Sequence, residues 1–267
     1  MKKSEIKRTI ISFIVVLFFF ILWLSPIYTA IKKSFDINGI ANYLFVITHP
    51  RVNYFQVVFN SIFIAFSTTI IVMFIATLGS FAFSKMKFKY SRQLYYMILA
   101  CLAIPIASVT SPLFFSINRL RMVDTYGGVI LPLVAFNAPF MLMLVKNYFD
   151  GIPNELIEAG KIEGASNIRI YLYIMLPLSG PIIATVAVLT FVYSWNEYLI
   201  PLLFIRSEAR YTVTLAARYF METTHQSPAD VARVYSALIM MTIPSVVVYL
   251  FSQKYLQEGI IAGAIKS

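Results

Sequence analysis

An all-α membrane protein with six transmembrane helices is the fold this sequence predicts, and three observations predict it. Hydrophobic residues make up 59% of the 267 and charged residues only 13%, where a soluble domain carries about a quarter charged residues. The apolar residues come in long runs, several of which reach the roughly 20 residues that a helix needs to cross the hydrocarbon layer. The basic residues, which give a formal net charge of +10, sit in short clusters at the ends of those runs. That is the pattern of membrane topology rather than of a nucleic-acid-binding face.

The first run, 9–31, follows Lys2, Lys3, Lys7 and Arg8. It is longer than the apolar region of a signal peptide, and Tyr28-Thr29-Ala30 puts a bulky ring where cleavage needs a small residue. It reads as an uncleaved first span. Further spans are predicted at 57–83, 94–116, 126–147, 178–204 and 232–254, within a single transmembrane domain covering 1–267. All are expected to be helices, because a segment in lipid must satisfy its backbone internally and these runs are too long for barrel strands. Pro105, Pro112, Pro132, Pro139, Pro201 and Pro244 fall inside spans or at their edges, as kinks that neighbouring helices repair. The lone cysteine, Cys101, can form neither an internal disulfide nor a four-ligand metal site, and reads as a small buried side chain.

With the N-terminus inside, 13 Lys and Arg residues fall on inner segments and 9 on outer ones. The two densest clusters, at the N-terminus and at 85–92, are both inner. Both termini and the segment 148–177 are therefore predicted to be cytoplasmic. The outer segments 32–56 and 205–231 are long enough to fold, as connections or as docking surfaces. Neither His49 nor His225 has a Cys, Asp or Glu at ligand spacing, so no metal is assigned.

The inner segment 150–177 is polar between apolar neighbours. Pro153 suits the first turn of a helix, where its missing N–H is no loss. Glu155 and Glu158 lie early in that helix, where its dipole favours negative charge, and Glu158 can pair with Lys161. Gly164 is a natural turn, and Ser166 or Asn167 can cap a second helix. Ile168, Tyr171, Leu172 and Met175 recur at helical spacing and predict its apolar face; Pro177 then ends it. An amphipathic inner helix often serves only as an interfacial anchor. Three glutamates and a glycine-built bend are not what an anchor needs.

At this point the residues resemble a known family. Glu158-Ala159-Gly160, then Glu163-Gly164-Ala165-Ser166, then nine residues after Gly164 to Ile174 and on to Leu176-Pro177, resemble the "EAA" loop of bacterial ABC importer permeases. This chain departs from the pattern in having Gly160 for the second Ala and Glu163 where Asp is usual. Asn60-Ser61 resembles the family's Asn-Ser start of the second span, and Trp195-Asn196-Glu197-Tyr198 and the tail from Gly259 to Lys266 resemble motifs of the carbohydrate, maltose-type branch. The resemblance implies a permease in the bacterial cytoplasmic membrane, paired with a second permease to form the path. It implies a cytoplasmic ABC ATPase dimer that binds ATP and Mg2+, and an extracytoplasmic solute-binding protein that docks on 205–231. The elbow, with Glu155, Glu158, Ala159, Gly160, Glu163, Gly164, Ala165, Ile174, Leu176 and Pro177, would be the grip for the ATPase. The cargo implied is a sugar or oligosaccharide.

Within the spans as drawn, Glu197 is the one carboxylate, costing at least about 2.5 kcal/mol on insertion scales. Thr190, Ser194 and Glu197 fall at i, i+4 and i+7, with Tyr193 and Asn196 flanking them, and Asn137 is polar within the fourth span. These are candidates for the solute path; the alternative for Glu197 is pairing with a cation that locks helices together. No phosphate-cradling glycine loop and no nucleophile–base constellation occurs, so no catalytic residue is assigned. An ion-gradient-driven transporter or channel would call for more intramembrane ionisable groups and an internal repeat. A non-transporting scaffold would use the elbow only to bind a soluble partner.

Overall fold

The structure is a computed structural model that describes residues 3–223 and 227–264; Lys2, His225 and Lys266, named above, lie outside the described residues. Among the described residues the helices are α1 (Lys3–Ser34), α2 (Ala41–Ile47), α3 (Tyr54–Lys85), α4 (Ser91–Ala100), α5 (Ile106–Arg119), α6 (Tyr126–Asp150), α7 (Asn154–Ile162), α8 (Asn167–Leu178), α9 (Gly180–Asn196), α10 (Leu199–Phe204), α11 (Val213–Thr223) and α12 (Pro228–Ala264). Four are long and apolar enough to cross a membrane, or six spans result if two sharply bent pairs each count as one. The chain forms two compact units, residues 1–54 with 217–243 and residues 55–216 with 244–267.

In the first unit, α1 grows from its apolar run. Pro26 has no N–H, which leaves the Leu22 carbonyl without its helical donor. The Ser25 hydroxyl takes that carbonyl at 3.1 Å, and the helix continues through the proline. The most apolar stretch of α1 is not buried by the chain. After Ser34 the buried Asn42 holds the turn, donating to the carbonyls of Ser34 and Asp36 at 2.9 and 3.1 Å. Ser236 donates to the same Ser34 carbonyl at 3.0 Å. Pro244 likewise frees the carbonyl of Met240, and the Tyr54 hydroxyl donates to it at 3.0 Å. That is the repair expected of a span proline.

The second unit is built around α6. Thr125 caps it, its hydroxyl accepting from the Gly128 N–H at 3.1 Å, and the helix runs through Pro132 and Pro139. Small residues let α3 approach it. A Cβ on Gly79 would lie 2.8 Å from Leu142 Cδ1, and the Ser80 hydroxyl donates to the Leu142 carbonyl at 2.8 Å. The core joins Val72 and Ala76 of α3, Val145 and Phe149 of α6, Ile170 and Met175 of α8 and Val186 of α9.

Two predicted spans differ from the structure. The third, drawn straight at 94–116, is two helical pieces, Ser91–Ala103 and Ile106–Arg119, bent by 104°. The cause is Pro105, which drives Ile104 into extended backbone (φ −87°, ψ 113°) by clashing with a helical predecessor. Cys101 lies beside this break and is exposed rather than buried. The fifth, drawn at 178–204, begins as expected at the junction with α8, an 80° bend, but is interrupted at Glu197, before α10. Pro177 does not end α8, which runs one residue further.

Candidate functional site

The elbow is α7, a tight turn and α8. Its turn is a complete Schellman motif: Ala165 N–H donates to the Gly160 carbonyl at 2.9 Å and Gly164 N–H to the Lys161 carbonyl at 3.0 Å. These bonds satisfy carbonyls that a helix end leaves open. Gly164 sits at φ +78°, a left-handed conformation that glycine adopts without penalty. Ser166 caps α8 by accepting from the Arg169 N–H.

Gly160 has a different task. It is buried, and a Cβ there would come 3.1 Å from Ile174 Cδ1 and 3.3 Å from Ile170 Cγ1. The third position of the Glu-Ala-Gly motif is thus where α8 folds back onto α7. The buried face of α8 is Ile170, Tyr171, Ile174 and Met175, one residue round from the predicted stripe. Ile168 is 71% exposed and Leu172 47%. A π-helical stretch at Tyr171–Met175 and the packing against Gly160 decide which side turns inward.

The elbow is anchored to the spans. Lys85 at the end of α3 donates to the Ile152 carbonyl at 2.7 Å and to Asn154 Oδ1 at 2.9 Å. The Tyr171 and Thr77 hydroxyls bond at 2.7 Å, and Tyr148 reaches the Leu178 carbonyl at 3.0 Å. Glu155, Glu158, Ala159 and Glu163 remain exposed, beside Ile162 at 88% and Tyr173 at 75%. Glu158 and Lys161 line one groove with Lys85 and Lys87, but the expected Glu158–Lys161 pair is not formed. Ala165, Ile174 and Leu176 pack against the core and Pro177 is exposed.

The predicted polar stripe of the fifth span is divided. Thr190 and Ser194 are buried, and their hydroxyls have no hydrogen-bond partner. Tyr193 and Asn137 instead line a largely apolar cleft of about 690 Å³, with Cys101 at its edge. Asn196 is exposed and bonds back to the Val192 carbonyl at 2.8 Å. Glu197 lies beyond the end of α9 and pairs with no cation among the described residues. Its Oε1 accepts from Leu199 N–H at 2.9 Å and Ile200 N–H at 3.2 Å, so it caps α10. A helix start offers several unpaired N–H donors, and that explains a partly buried carboxylate without a cationic partner.

At the other end of α6 from the elbow is a constellation that the sequence reading did not single out. Asp124, at φ +57°, gathers the loop after α10. Its Oδ1 accepts from the N–H of Arg206, the N–H of Ser207 and the Ser207 hydroxyl, each at 3.0 Å. Oδ2 accepts from Arg210 at 2.8 Å. Partial burial pushes the Asp124 carboxyl up, but these donors and the Arg210 charge outweigh it and hold it below the usual Asp value. Asn60, fully buried, completes the clamp by donating to the carbonyls of Ala209 and Tyr211, both at 3.0 Å. Ser61 accepts from the Val213 N–H at 2.8 Å. The Asn60-Ser61 motif was visible in sequence; its target, a loop some 150 residues away, was not.

A multi-pass helical membrane protein, with an anchored elbow at one end of its central helix and a clamped loop at the other, is what these observations define. Residues 75–262 match the family of binding-protein-dependent transport system inner membrane components, and the chain belongs to it. The trehalose/maltose transport system permease protein MalG of Thermococcus litoralis is 33% identical over 229 residues, covering 86% of this chain and 82% of that protein. The sn-glycerol-3-phosphate transport system permease protein UgpE of Shigella flexneri is 32% identical over 208 residues, covering 78% and 73%. A chain in the crystal structure of a bacterial ABC transporter involved in the import of the acidic polysaccharide alginate has a TM-score of 0.84 at 20% identity, over 96% of this chain and 98% of that one. The two share a fold.

Proposed function

We propose that this chain is a non-catalytic permease subunit of an ATP-driven importer for a sugar or oligosaccharide, and that its elbow is the lever through which a separate ATPase moves the spans. The observation that carries this is an elbow fixed on its inner face and bare on its outer one. Lys85 and Tyr171 tie it to the spans and Gly160 packs its two helices together, while Glu155, Glu158 and Glu163 stand exposed beside bare apolar side chains. A lever has to be stiff towards its load and free towards its motor. In this reading the elbow and both termini are cytoplasmic, and the ATPase dimer holds ATP and Mg2+. A second permease completes the path, and a solute-binding protein docks at the clamped loop. Relatives whose names specify trehalose/maltose and sn-glycerol-3-phosphate support a small polyhydroxylated cargo.

The test is reconstitution with the second permease, ATPase and binding protein encoded for the same transporter. Uptake of the cargo should require ATP, and Glu158→Lys should leave the complex inserted while separating hydrolysis from uptake. Gradient-driven uptake without the ATPase would replace the proposal by a secondary transporter, and binding without flux by a scaffold.

A further inference from the structure

Where α3 gives way to α4, the chain builds a pocket of about 620 Å³ that plays no part in the lever. Its wall carries Lys87, Arg92 and Lys146 together with Tyr90, Tyr95 and Tyr96. The cations are placed on ring faces. Lys146 lies 4.9 Å from the Tyr95 centroid, Arg92 5.7 Å from that of Tyr96, and the neighbouring Lys89 4.9 Å from that of Tyr90. Asp150 neutralises Lys146 at 2.7 Å. Glu158 shares only the adjoining groove with Lys87, so the pocket keeps a surplus of positive charge. Ser84, also in its wall, has a hydroxyl without a hydrogen-bond partner. Tyr90 turns the chain into α4 at φ +66° without a side-chain cap, and Ser91, Arg92 and Gln93 of that uncapped first turn line the same space.

Basic residues at a span end serve topology even when they bind nothing. The arrangement here goes further in two ways. The cations surround a concavity rather than fan out into water. The same helix also bears bare apolar side chains alongside, Leu94 at 44% and Met97 at 67% exposure. A ligand matching both has an anionic phosphate at one end and hydrocarbon at the other. We propose that this pocket holds the phosphate of an anionic phospholipid, with its acyl chains lying along α4. Basic pockets at the membrane surface between spans recognise headgroups in this way.

The transporter containing this chain would be purified in detergent and titrated with phosphatidylglycerol or phosphatidylcholine, with bound lipid counted by native mass spectrometry. Wild type should retain phosphatidylglycerol with about tenfold preference, and Lys87→Gln/Arg92→Gln should lose most of that preference, since cations near the surface attract anionic lipid. Arg119→Gln/Arg121→Gln, the same charge change in the connection before α6, should keep it. The charge-preserving Lys87→Arg/Arg92→Lys should keep it as well, and supplies the comparison if the neutralised pair assembles poorly. Equal retention by the neutralised pair and wild type would overturn the proposal. So would inorganic phosphate displacing the lipid at equal concentration, since the pocket would then be a simple anion site.

Discussion

Replacing Gly164 in the series Asn, Ala, Val isolates one physical quantity. A Cβ at this position meets nothing within 4 Å, so the first atom of any side chain finds open space. What remains is the cost of holding an L residue at φ +78°. That cost is about 1–2 kcal/mol for an ordinary side chain, less for Asn, which visits this region routinely, and greatest for β-branched Val. A penalty of about 1 kcal/mol raises the opening of the bend about fivefold, and about 2 kcal/mol raises it about thirtyfold. The reporters are the amides of residues 164 and 165, which close the turn on the carbonyls of Lys161 and Gly160 at 3.0 and 2.9 Å. Hydrogen exchange at these two amides should quicken in the order Gly, Asn, Ala, Val, and uptake per ATP hydrolysed should fall in the same order. Equal exchange in all four proteins, or slower exchange in Ala than in Gly, would refute the claim that left-handed backbone at 164 sets the bend.

Asp124→Asn keeps a residue suited to left-handed backbone but gives up the Arg210 pair. The loop 205–210 should lose about 1 kcal/mol of protection, read by exchange at Arg206 and Ser207. Because the folded carboxyl lies below its unfolded value, its contribution is complete above about pH 4 and is lost as pH falls through the lower, folded value. Wild-type loop protection should therefore be flat from pH 7 to 5, and a loss already at pH 6 that the variant lacks would contradict the clamp. Glu197→Gln keeps an acceptor for the start of α10 and should transport normally, whereas Glu197→Ala should cost about 1 kcal/mol as a lost cap, measured by thermal unfolding. Loss of uptake by the Gln variant at unchanged stability would return the charge to the solute path.

Those residues also mark how far the sequence could be read. Composition and apolar runs were enough for the class, because lipid leaves a chain few ways to satisfy its backbone. The turn at Gly164 was legible because it is local, set by the φ of one residue. The buried face of α8 was misplaced by one residue because what selects it, Gly160 on a different helix, is not part of the α8 pattern. Glu197 reads as part of one continuous helix because hydropathy runs through it; the break that it caps is set by its own bonds to the start of α10. Asp124 was missed altogether. An Asp in a loop is ordinary, and its partners at 206, 207 and 210 are more than 80 residues away in sequence.

Two rods join the elbow to the clamp. The 25-residue α6, about 37 Å long at 1.5 Å per residue, starts two residues after Asp124 and ends four before the first residue of α7. The helix α9 leaves the elbow through Ser179 and ends beside Glu197, whose carbonyl accepts the Thr214 hydroxyl at 2.8 Å. Neither rod contains a non-helical residue within its bounds. Asn60→Ala probes this from the far end. It removes donors to Ala209 and Tyr211 and the acceptor of Tyr126 and Gln56, both at 2.8 Å, costing about 1–3 kcal/mol locally. If the rods are stiff, the freed loop lets α6 shift as a body, and exchange at Gly164 and Ala165 should quicken about fivefold, a coupling at the low end of the usual 1–3 kcal/mol range. If exchange quickens at Tyr211 and Val213 and stays fixed at the elbow, the two ends are mechanically independent. Motion would then have to enter through the breaks at Pro105 and Ser179 instead.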